Sequence, residues 1–261
     1  MSAIVFENEI VHFEVLGRGR PVLFLHGWIG SWRYWIPAMQ AASTAYRAYA
    51  LDLWGFGDTA KNSKHYHIQD QVDLLNGFLE QMGILRIALV GHALGAVIAL
   101  NMSLQFPAKV DRLMLVQFPL DRERLSSRLS ADSPRALVEW LVDRAGSDQS
   151  ILTEAEKTDP PAIQQSLTDL STQSLKALYQ STLPCLMVLS NNDPVLGKMD
   201  EVEEEPKSSN FHTIWFDHSK HFPMLEEDIK FNRLLLDFLS LKSGESPQQL
   251  QLKDQWKRRV R

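Results

Sequence analysis

The sequence predicts an α/β protein whose mostly parallel, doubly wound central sheet is flanked by helices. Short apolar runs such as Val22–His26 and Ile87–Val90 are typical of strands that are buried on both faces. Between such runs lie segments with helical spacing of apolar residues, as in Ile68–Met82. Strands that alternate with helices at this spacing form parallel sheets covered on both sides.

The whole-chain properties are those of an ordinary globular protein. The chain has 261 residues, a formal net charge of -5, 44% hydrophobic and 23% charged residues, which fits one α/β domain with at most a small insertion. Nothing in this composition indicates nucleic-acid binding. No signal peptide and no apolar stretch of membrane-spanning length is found, so we expect a cytoplasmic protein without a transmembrane segment. The single cysteine, Cys185, excludes an intramolecular disulfide framework and a Cys-rich metal site.

The elements follow from the same patterns, taken in order. Ile4–Phe6 and Val11–Leu16 are β-rich runs separated by Asn8-Glu9, and they predict an antiparallel hairpin at a sheet edge. The further predicted strands are Val22–His26, Tyr46–Leu51, Ile87–Val90, Val110–Phe118, Pro184–Ser190 and Phe211–Phe216. The predicted core helices are one capped by Ser31 that runs to about Ala42, then Ile68–Met82, Ala96–Met102 and Leu225–Leu241.

Residues 119–182 interrupt this alternation. The segment is polar and helix-prone, with one helix starting at Ser133-Pro134 and a second running from Pro160-Pro161 to Leu178. We therefore divide the chain into an α/β core (1–118 and 183–242), a helical insertion (119–182) and a basic C-terminal tail (243–261). The insertion is expected to form a lid over the sheet; the alternative is a long crossover packed on its side.

Two charged stretches follow. The acidic run Asp200–Glu205 is expected to be a solvated surface segment. In the tail, residues 246–261 alternate apolar and basic side chains. This pattern favours either a tail folded back on its own domain or an amphipathic segment that docks on an acidic partner or a membrane surface. The oligomeric state is not predicted.

The most informative motif is Gly91-His92-Ala93-Leu94-Gly95, which lies between a predicted strand and a predicted helix. A Gly-x-Ser-x-Gly sequence in this context is a nucleophile elbow, a sharp strained turn that presents the serine hydroxyl. Here the middle residue is alanine, and a methyl group cannot attack a carbonyl carbon. The motif therefore predicts the frame of a nucleophile without the nucleophile.

Several motifs in order resemble the α/β-hydrolase superfamily, in particular its lidded serine carboxylesterases, over about residues 3–241. His26-Gly27-Trp28 resembles the oxyanion loop, Asp52–Asp58 the family's Asp-x-x-Gly-x-Gly loop, and Gly91–Gly95 the elbow. Asp193 and His221 stand where the family places its acid and its base, in the chain order nucleophile, acid, histidine. Two departures are Ala93 and Lys220, where the family usually has glycine before the histidine.

The resemblance implies a set of site residues. They are the nucleophile position Ala93, the acid Asp193, the base His221, and the backbone N–H groups of Trp28 and Leu94 as the oxyanion hole. No cofactor and no metal site is expected. The remaining candidates have structural interpretations: His92 as a packing residue, His26 as a hydrogen-bonding loop residue, and Asp121 as a fallback acid.

The resemblance implies hydrolysis of carboxylic esters of small apolar molecules, and carbon–carbon hydrolysis uses the same layout. Three hypotheses remain open. The favoured one is a carboxylesterase-like enzyme whose serine has been replaced by alanine by design, which leaves it inactive. The second is a natural pseudo-hydrolase that serves as a ligand receptor or scaffold. The third is a serine-independent enzyme in which His221 activates water or takes a proton from the substrate.

Overall fold

The computed structural model describes residues 2–119, 122–141, 149–171, 173–180, 182–196 and 208–252. A sheet of eight strands crosses the molecule in the order β1-β2-β4-β3-β5-β6-β7-β8. Its strands are β1 Ser2–Phe6, β2 Glu9–Gly17, β3 Arg20–Leu25, β4 Tyr46–Leu51, β5 Ile87–His92, β6 Val110–Val116, β7 Cys185–Ser190 and β8 Phe211–Phe216. Strand β2 is antiparallel to both of its neighbours, and β3 to β8 are parallel. The predicted mostly parallel sheet with an antiparallel hairpin at its edge is therefore confirmed.

The helices cover the sheet in two groups. They are α1 Ile36–Ala42, α2 Ile68–Gln81, α3 Leu94–Gln105, α4 Arg128–Ala131, α5 Pro134–Leu141, α6 Gln149–Glu156, α7 Pro160–Thr168, α8 Gln173–Tyr179, α9 Pro223–Glu226 and α10 Asp228–Ser240. Helix α1 packs against α10, whereas α3 packs against α2 and α8. Strands β3, β5, β6 and β7 lie between these groups and are almost wholly buried, as their continuous apolar runs predict. None of the described helices is long and apolar enough to cross a membrane.

Three helix predictions differ from the structure. Ser31 caps a short 3-10 helix, Trp32–Trp35, by accepting a hydrogen bond from the Arg33 N–H group at 3.2 Å. The α-helix α1 begins only at Ile36, with Pro37 in its first turn, where the fixed backbone angle of proline favours a helix start.

The predicted helix from Pro160 to Leu178 is two helices, α7 and α8. The chain leaves α7 at Asp169, whose carboxylate accepts hydrogen bonds from the Ile68 N–H group and from Nδ1 of His67, both at 3.0 Å. Asp169 thus provides an acceptor for a backbone N–H group in the first turn of the neighbouring helix α2, which has no partner within that helix. In the same way, the predicted last helix is split into α9 and α10 at Glu227, which has non-helical angles (φ -129, ψ 49).

Among the described residues of 122–180, between β6 and β7, five helices (α4 to α8) occur and no strand. Buried apolar residues of these helices, among them Leu137, Leu141 and Ile163, belong to the main hydrophobic core. The acidic run 200–205 and the basic residues 253–261 lie outside the described residues.

Candidate active site

Ala93 occupies a sharp turn between β5 and α3. Its backbone has a positive φ of 48 with ψ -111, a conformation that costs about 1–3 kcal/mol in a residue with a side chain. Its N–H group donates to the carbonyl oxygen of Val116 on β6 at 2.9 Å, and its carbonyl oxygen accepts from the Ala96 N–H group at 3.0 Å. Ala93 is fully buried. Ala93 thus lacks the hydroxyl of the motif that it resembles, but its backbone has the strained turn of that motif.

The two glycines of the motif let α3 approach the sheet. A Cβ on Gly91 would lie 2.3 Å from the carbonyl oxygen of Gly95. A Cβ on Gly95 would in turn lie 2.3 Å from the carbonyl oxygen of Leu25 on β3. Both contacts are too short for any side chain, so only glycine permits this packing of strand against helix.

Asp193 and His221 form a buried pair at the carboxyl ends of β7 and β8. Nδ1 of His221 lies 2.9 Å from Oδ2 and 3.1 Å from Oδ1 of Asp193. The other ring nitrogen, Nε2, has no hydrogen-bond partner within the part of the chain that the structure describes. Asp193 is oriented in turn by the Val195 N–H group, which donates to Oδ1 at 2.8 Å. A carboxylate only accepts, so Nδ1 carries the proton and Nε2 is left as a base.

A hydrogen-bonded chain joins the predicted oxyanion loop to His221. Nε2 of His92 lies 2.9 Å from the carbonyl oxygen of His221, and Nδ1 lies 3.0 Å from the Tyr34 hydroxyl. Because a carbonyl only accepts, Nε2 of His92 carries the proton and Nδ1 accepts from Tyr34. The Tyr34 oxygen accepts from the Gly27 N–H group at 2.5 Å. His92, expected to be a packing residue, thus fixes the backbone of His221.

Burial keeps the side chains of His92 and Tyr34 uncharged. Burial, followed by the nearby charge of His221, holds the pKa of His92 well below its usual value. Burial also raises the pKa of Tyr34 well above its usual value. Both residues therefore stay in the one protonation state that allows the bonds described above.

Gln117 connects the two segments that carry Asp193 and His221. It follows β6 and has a positive φ of 49. Its amide Nε2 donates to the carbonyl oxygen of Lys220 at 2.6 Å, and its Oε1 accepts from the Ser190 N–H group at 3.1 Å. Gln117 was not predicted as a site residue; it lies within the predicted strand Val110–Phe118, which in the structure ends at Val116 because the backbone turns at Gln117. The available signal was a single polar residue near the end of an apolar run.

The predicted oxyanion residues lie at the ends of neighbouring strands. Trp28 is 2% exposed and follows β3, and Leu94 is the first residue of α3. The loop before Trp28 touches the elbow, since a Cβ on Gly27 would lie 3.0 Å from the Cβ of Ala93. The indole Nε1 of Trp28 donates to Oγ of Ser166 on α7 at 3.0 Å, so a helix of the insertion contacts this loop directly.

His26 is a loop residue in the structure as well. Its Nε2 accepts from the Leu53 N–H group at 3.0 Å, and its Nδ1 donates to the carbonyl oxygen of Gly27 at 2.8 Å. Burial lowers its pKa, which keeps the ring neutral, as an acceptor nitrogen requires. The fallback acid Asp121 lies outside the described residues.

Among the residues that the structure describes, one group of side chains has the spacing of a metal site. It comprises His12, Asp52 and Asp58. These residues already have partners: Asp52 accepts from Nδ1 of His12 at 3.0 Å, and Asp58 forms ion pairs with Arg33 at 3.1 Å and Lys157 at 2.8 Å. Each of the three side chains is thus already bonded to another side chain of the protein, so we assign no metal here.

The comparisons with known proteins agree with this geometry. A family model described as the alpha/beta hydrolase fold matches residues 20–145. An esterase structure from Exiguobacterium antarcticum superimposes with a TM-score of 0.80 at 19% identity, covering 92% of this chain and 99% of that one. The chain has the α/β-hydrolase fold.

Curated relatives of this α/β-hydrolase-fold chain include hydrolases and esterases. A 2-hydroxy-6-oxo-2,4-heptadienoate hydrolase of Pseudomonas putida is 33% identical over 105 residues, which cover 39% of this chain and 38% of that protein. A pimeloyl-(acyl-carrier protein) methyl ester esterase of Legionella pneumophila is 22% identical over 244 residues, covering 88% of this chain and 99% of that protein. The matched regions of the first three relatives span only 31–41% of their lengths.

Proposed function

We propose that this α/β-hydrolase-fold chain is a serine-hydrolase scaffold for carboxylic esters of small apolar molecules, and that Ala93 leaves it without efficient turnover. The observation that carries the proposal is the buried Asp193–His221 pair, held in orientation at the same sheet edge as a strained elbow residue. An oriented, uncommitted histidine nitrogen is what an attacking hydroxyl would need as its base.

Each residue has a role in the chemistry that a serine at position 93 would perform. The hydroxyl would transfer its proton to Nε2 of His221 as it attacks the acyl carbon. Asp193 would hold the histidine tautomer and stabilise the imidazolium that forms. The N–H groups of Trp28 and Leu94 would bind the oxyanion; the second lies at a helix N-terminus, where negative charge is favoured.

The relatives support the substrate class only at a coarse level. Both the Legionella relative and the Exiguobacterium structure are named as esterases, and the Pseudomonas relative is named as a hydrolase of an oxo-dienoate. Carbon–carbon hydrolysis, which uses the same layout of residues, stays within the proposal beside ester hydrolysis.

Residues 119–182 would act as the lid of this site. The bond from Trp28 to Ser166 and the ion pair from Arg33 to Glu154 at 2.9 Å tie helices α7 and α6 to loops at the site edge. We expect a largely apolar cavity between the carboxyl ends of the strands and these helices, near Trp28, Ala93 and His221.

A second candidate is a histidine-based activity or ligand binding without the serine. The free Nε2 of His221 favours it, because this nitrogen could activate water or take a substrate proton without a residue 93 hydroxyl. Whether alanine at position 93 is designed or natural is decided by the parent gene sequence, and in either case the same variant tests the scaffold.

The test is the variant Ala93→Ser. We expect it to be labelled by a fluorophosphonate probe and to hydrolyse short p-nitrophenyl esters. Loss of a triad serine costs about 10⁶-fold in kcat in a protease example, so the unchanged chain should show neither activity.

The matched control is Ala93→Ser combined with His221→Ala, which keeps the new hydroxyl and removes its base. This double variant should lose the labelling. Absence of labelling in a folded Ala93→Ser protein would reject the scaffold proposal. Ester turnover by the unchanged chain that disappears in His221→Ala alone would favour the histidine-based candidate.

A further inference from the structure

A cleft lies at the amino-terminal ends of the parallel strands, on the opposite side of the sheet from Ala93, which follows the carboxyl end of β5. It has a volume of about 190 Å³ and is bordered by residues at the starts of β3, β4, β5 and β6 and by Leu239 near the end of α10. In a parallel sheet all strands start on one side and all end on the other. The cleft is therefore separate from the site proposed above and independent of that function.

The charge of the cleft differs from that of the whole protein. Arg20, Arg86 and Arg112 border it, and Asp111 is the one carboxylate among its lining residues. The formal charge of the lining is thus positive, although the chain has a net charge of -5. A concave surface of one sign attracts ligands of the opposite sign.

Two of these arginines are held in place by the end of α10. Nη1 of Arg112 donates to the carbonyl oxygen of Phe238 at 2.7 Å, and Nη2 of Arg20 donates to that of Leu239 at 3.3 Å. The Arg112 side chain is only 7% exposed. Arginine side chains stabilise a helix by donating hydrogen bonds to its last carbonyl groups. These two side chains therefore have a structural role.

Closing the helix does not account for all the donors present. A guanidinium group has five N–H donors. The bonds of Arg112 to Phe238 and Asp111, and of Arg20 to Leu239 and Tyr46, use only part of them. Arg86 bonds to no helix carbonyl in the described part of the chain; its Nε lies 3.6 Å from Asp111, and its side chain is 61% exposed.

The rest of the lining is mainly apolar. Pro21, Ile87, Ala88 and Leu239 border the cleft beside the arginines. A volume of about 190 Å³ is comparable to that of an engineered cavity of about 150 Å³ that holds one benzene molecule. The ligand that fits is therefore small, with an anionic head and a compact apolar body.

We propose that this cleft binds a small organic oxyanion, a phosphate monoester or a carboxylate, with its head on the arginines and its apolar group against Ile87 and Leu239. Guanidinium groups match both anions, since their paired N–H donors can bond two oxygens at once. The two sources of the anionic head are separated by the choice of probe.

The test is calorimetric titration of the unchanged chain with phenyl phosphate, benzoate and the neutral analogue benzyl alcohol, at low and high NaCl. We expect one or both anions to bind, the interaction to weaken at high salt, and benzyl alcohol not to bind. The stronger of the two anions identifies the head group.

Arg86→Gln is the informative variant because Arg86 closes no helix and its loss should not unfold the protein. We expect this variant to weaken anion binding about tenfold. The matched control is Arg47→Gln, an equal charge change on β4 at an exposed arginine that stacks on Tyr49 and does not border the cleft. It should bind as tightly as the unchanged chain.

Two outcomes would overturn the proposal. One is the absence of binding of either anion to the unchanged chain up to about 10 mM, which would leave Arg20 and Arg112 with their structural role alone. The other is an equal loss of affinity in Arg47→Gln, which would mean that the anions respond to overall charge.

Discussion

Ala93 keeps a positive φ although its side chain is only a buried methyl group. Glycine at this position would relieve the backbone strain, about 1–3 kcal/mol, against a loss of methyl burial and of backbone entropy of about 0.5–1 kcal/mol each. We therefore expect Ala93→Gly to be close to neutral in the free energy of unfolding, measured by urea denaturation.

The matched control is Ala96→Gly, also fully buried but within the regular part of α3. It loses the same methyl group with no strain to relieve, so it should destabilise the protein by at least about 1 kcal/mol more than Ala93→Gly. Equal effects of the two variants would mean that the turn at Ala93 is not strained.

His92 makes a pH-dependent contribution to stability. Its folded-state pKa lies well below the unfolded value of 6.5 because of burial, so the unfolded chain binds more protons in this range. The contribution is complete above pH 6.5 and is lost as pH falls toward the folded pKa, at about 1.4 kcal/mol per pH unit. We expect His92→Gln to give a shallower fall in unfolding free energy between pH 6.5 and 5.

The control for this measurement is His218→Gln, which changes an exposed histidine after β8. It should leave the slope unchanged. His12 acts in the opposite direction. Burial lowers its pKa, but the hydrogen bond and charge of Asp52 outweigh this and raise it, so its stability contribution is lost as pH rises. The contribution of His12 is the same in the unchanged chain, His92→Gln and His218→Gln, so it does not affect the comparison. The same slope in His92→Gln and the unchanged chain would contradict the prediction.

At the scale of elements, ion pairs attach the insertion to the core. Glu154 on α6 bonds to Arg33 and to Lys157, both at 2.9 Å, and Lys157 also bonds to Asp58. The Glu154 side chain is only 8% exposed, which makes its loss costly because it leaves two cations partly unpaired.

We expect Glu154→Gln to destabilise the protein by about 1–2 kcal/mol in urea unfolding and to speed tryptic cleavage within 122–180. The control is Glu139→Gln, which removes the exposed pair with Arg135 on α5 and should change stability by less than about 0.5 kcal/mol. If the two variants behave alike, the pairs at Glu154 do not hold the insertion.

The sequence predicts those elements whose signal is local. Strand β8 has the predicted bounds, Phe211–Phe216, because its aromatic and β-branched residues favour a strand locally. The breaks at Asp169 and Glu227 were not predicted. Asp169, for example, bonds to Ile68, about a hundred positions earlier in the chain, and no local periodicity encodes such a contact.

The residues of the candidate site also differ in whether a local sequence signal marks them. The elbow, Asp193 and His221 could be proposed from the sequence because they stand in short motifs at strand ends. Tyr34 and Gln117 were missed since they act through single hydrogen bonds to distant residues, Gln117 to Lys220 for example. Buried polar groups must be paired, but the sequence alone does not tell with whom.

At the scale of the whole molecule, residues 246–252 lie against β8. His212 donates from Nε2 to the carbonyl oxygen of Leu250 at 3.1 Å, and Gln248 donates to that of Ser208 at 3.1 Å. Leu250 is only 7% exposed. This part of the tail is folded back on its own domain.

Deleting 246–261 should therefore lower the melting temperature, by about 4–8 °C if burial of Leu250 contributes about 2 kcal/mol. The matched truncation, 253–261, keeps all the contacts just described and should have a smaller effect. An unchanged midpoint after the longer deletion would contradict the prediction, and differential scanning calorimetry measures both.

The strand order also governs how the chain could be rearranged. Strands β1 and β8, the first and last along the chain, are at opposite edges of the sheet. Seven interstrand spacings of about 4.8 Å separate them by roughly 34 Å. A circular permutant that joins the segment after β8 to the start of β1 would thus need a linker of at least about ten extended residues.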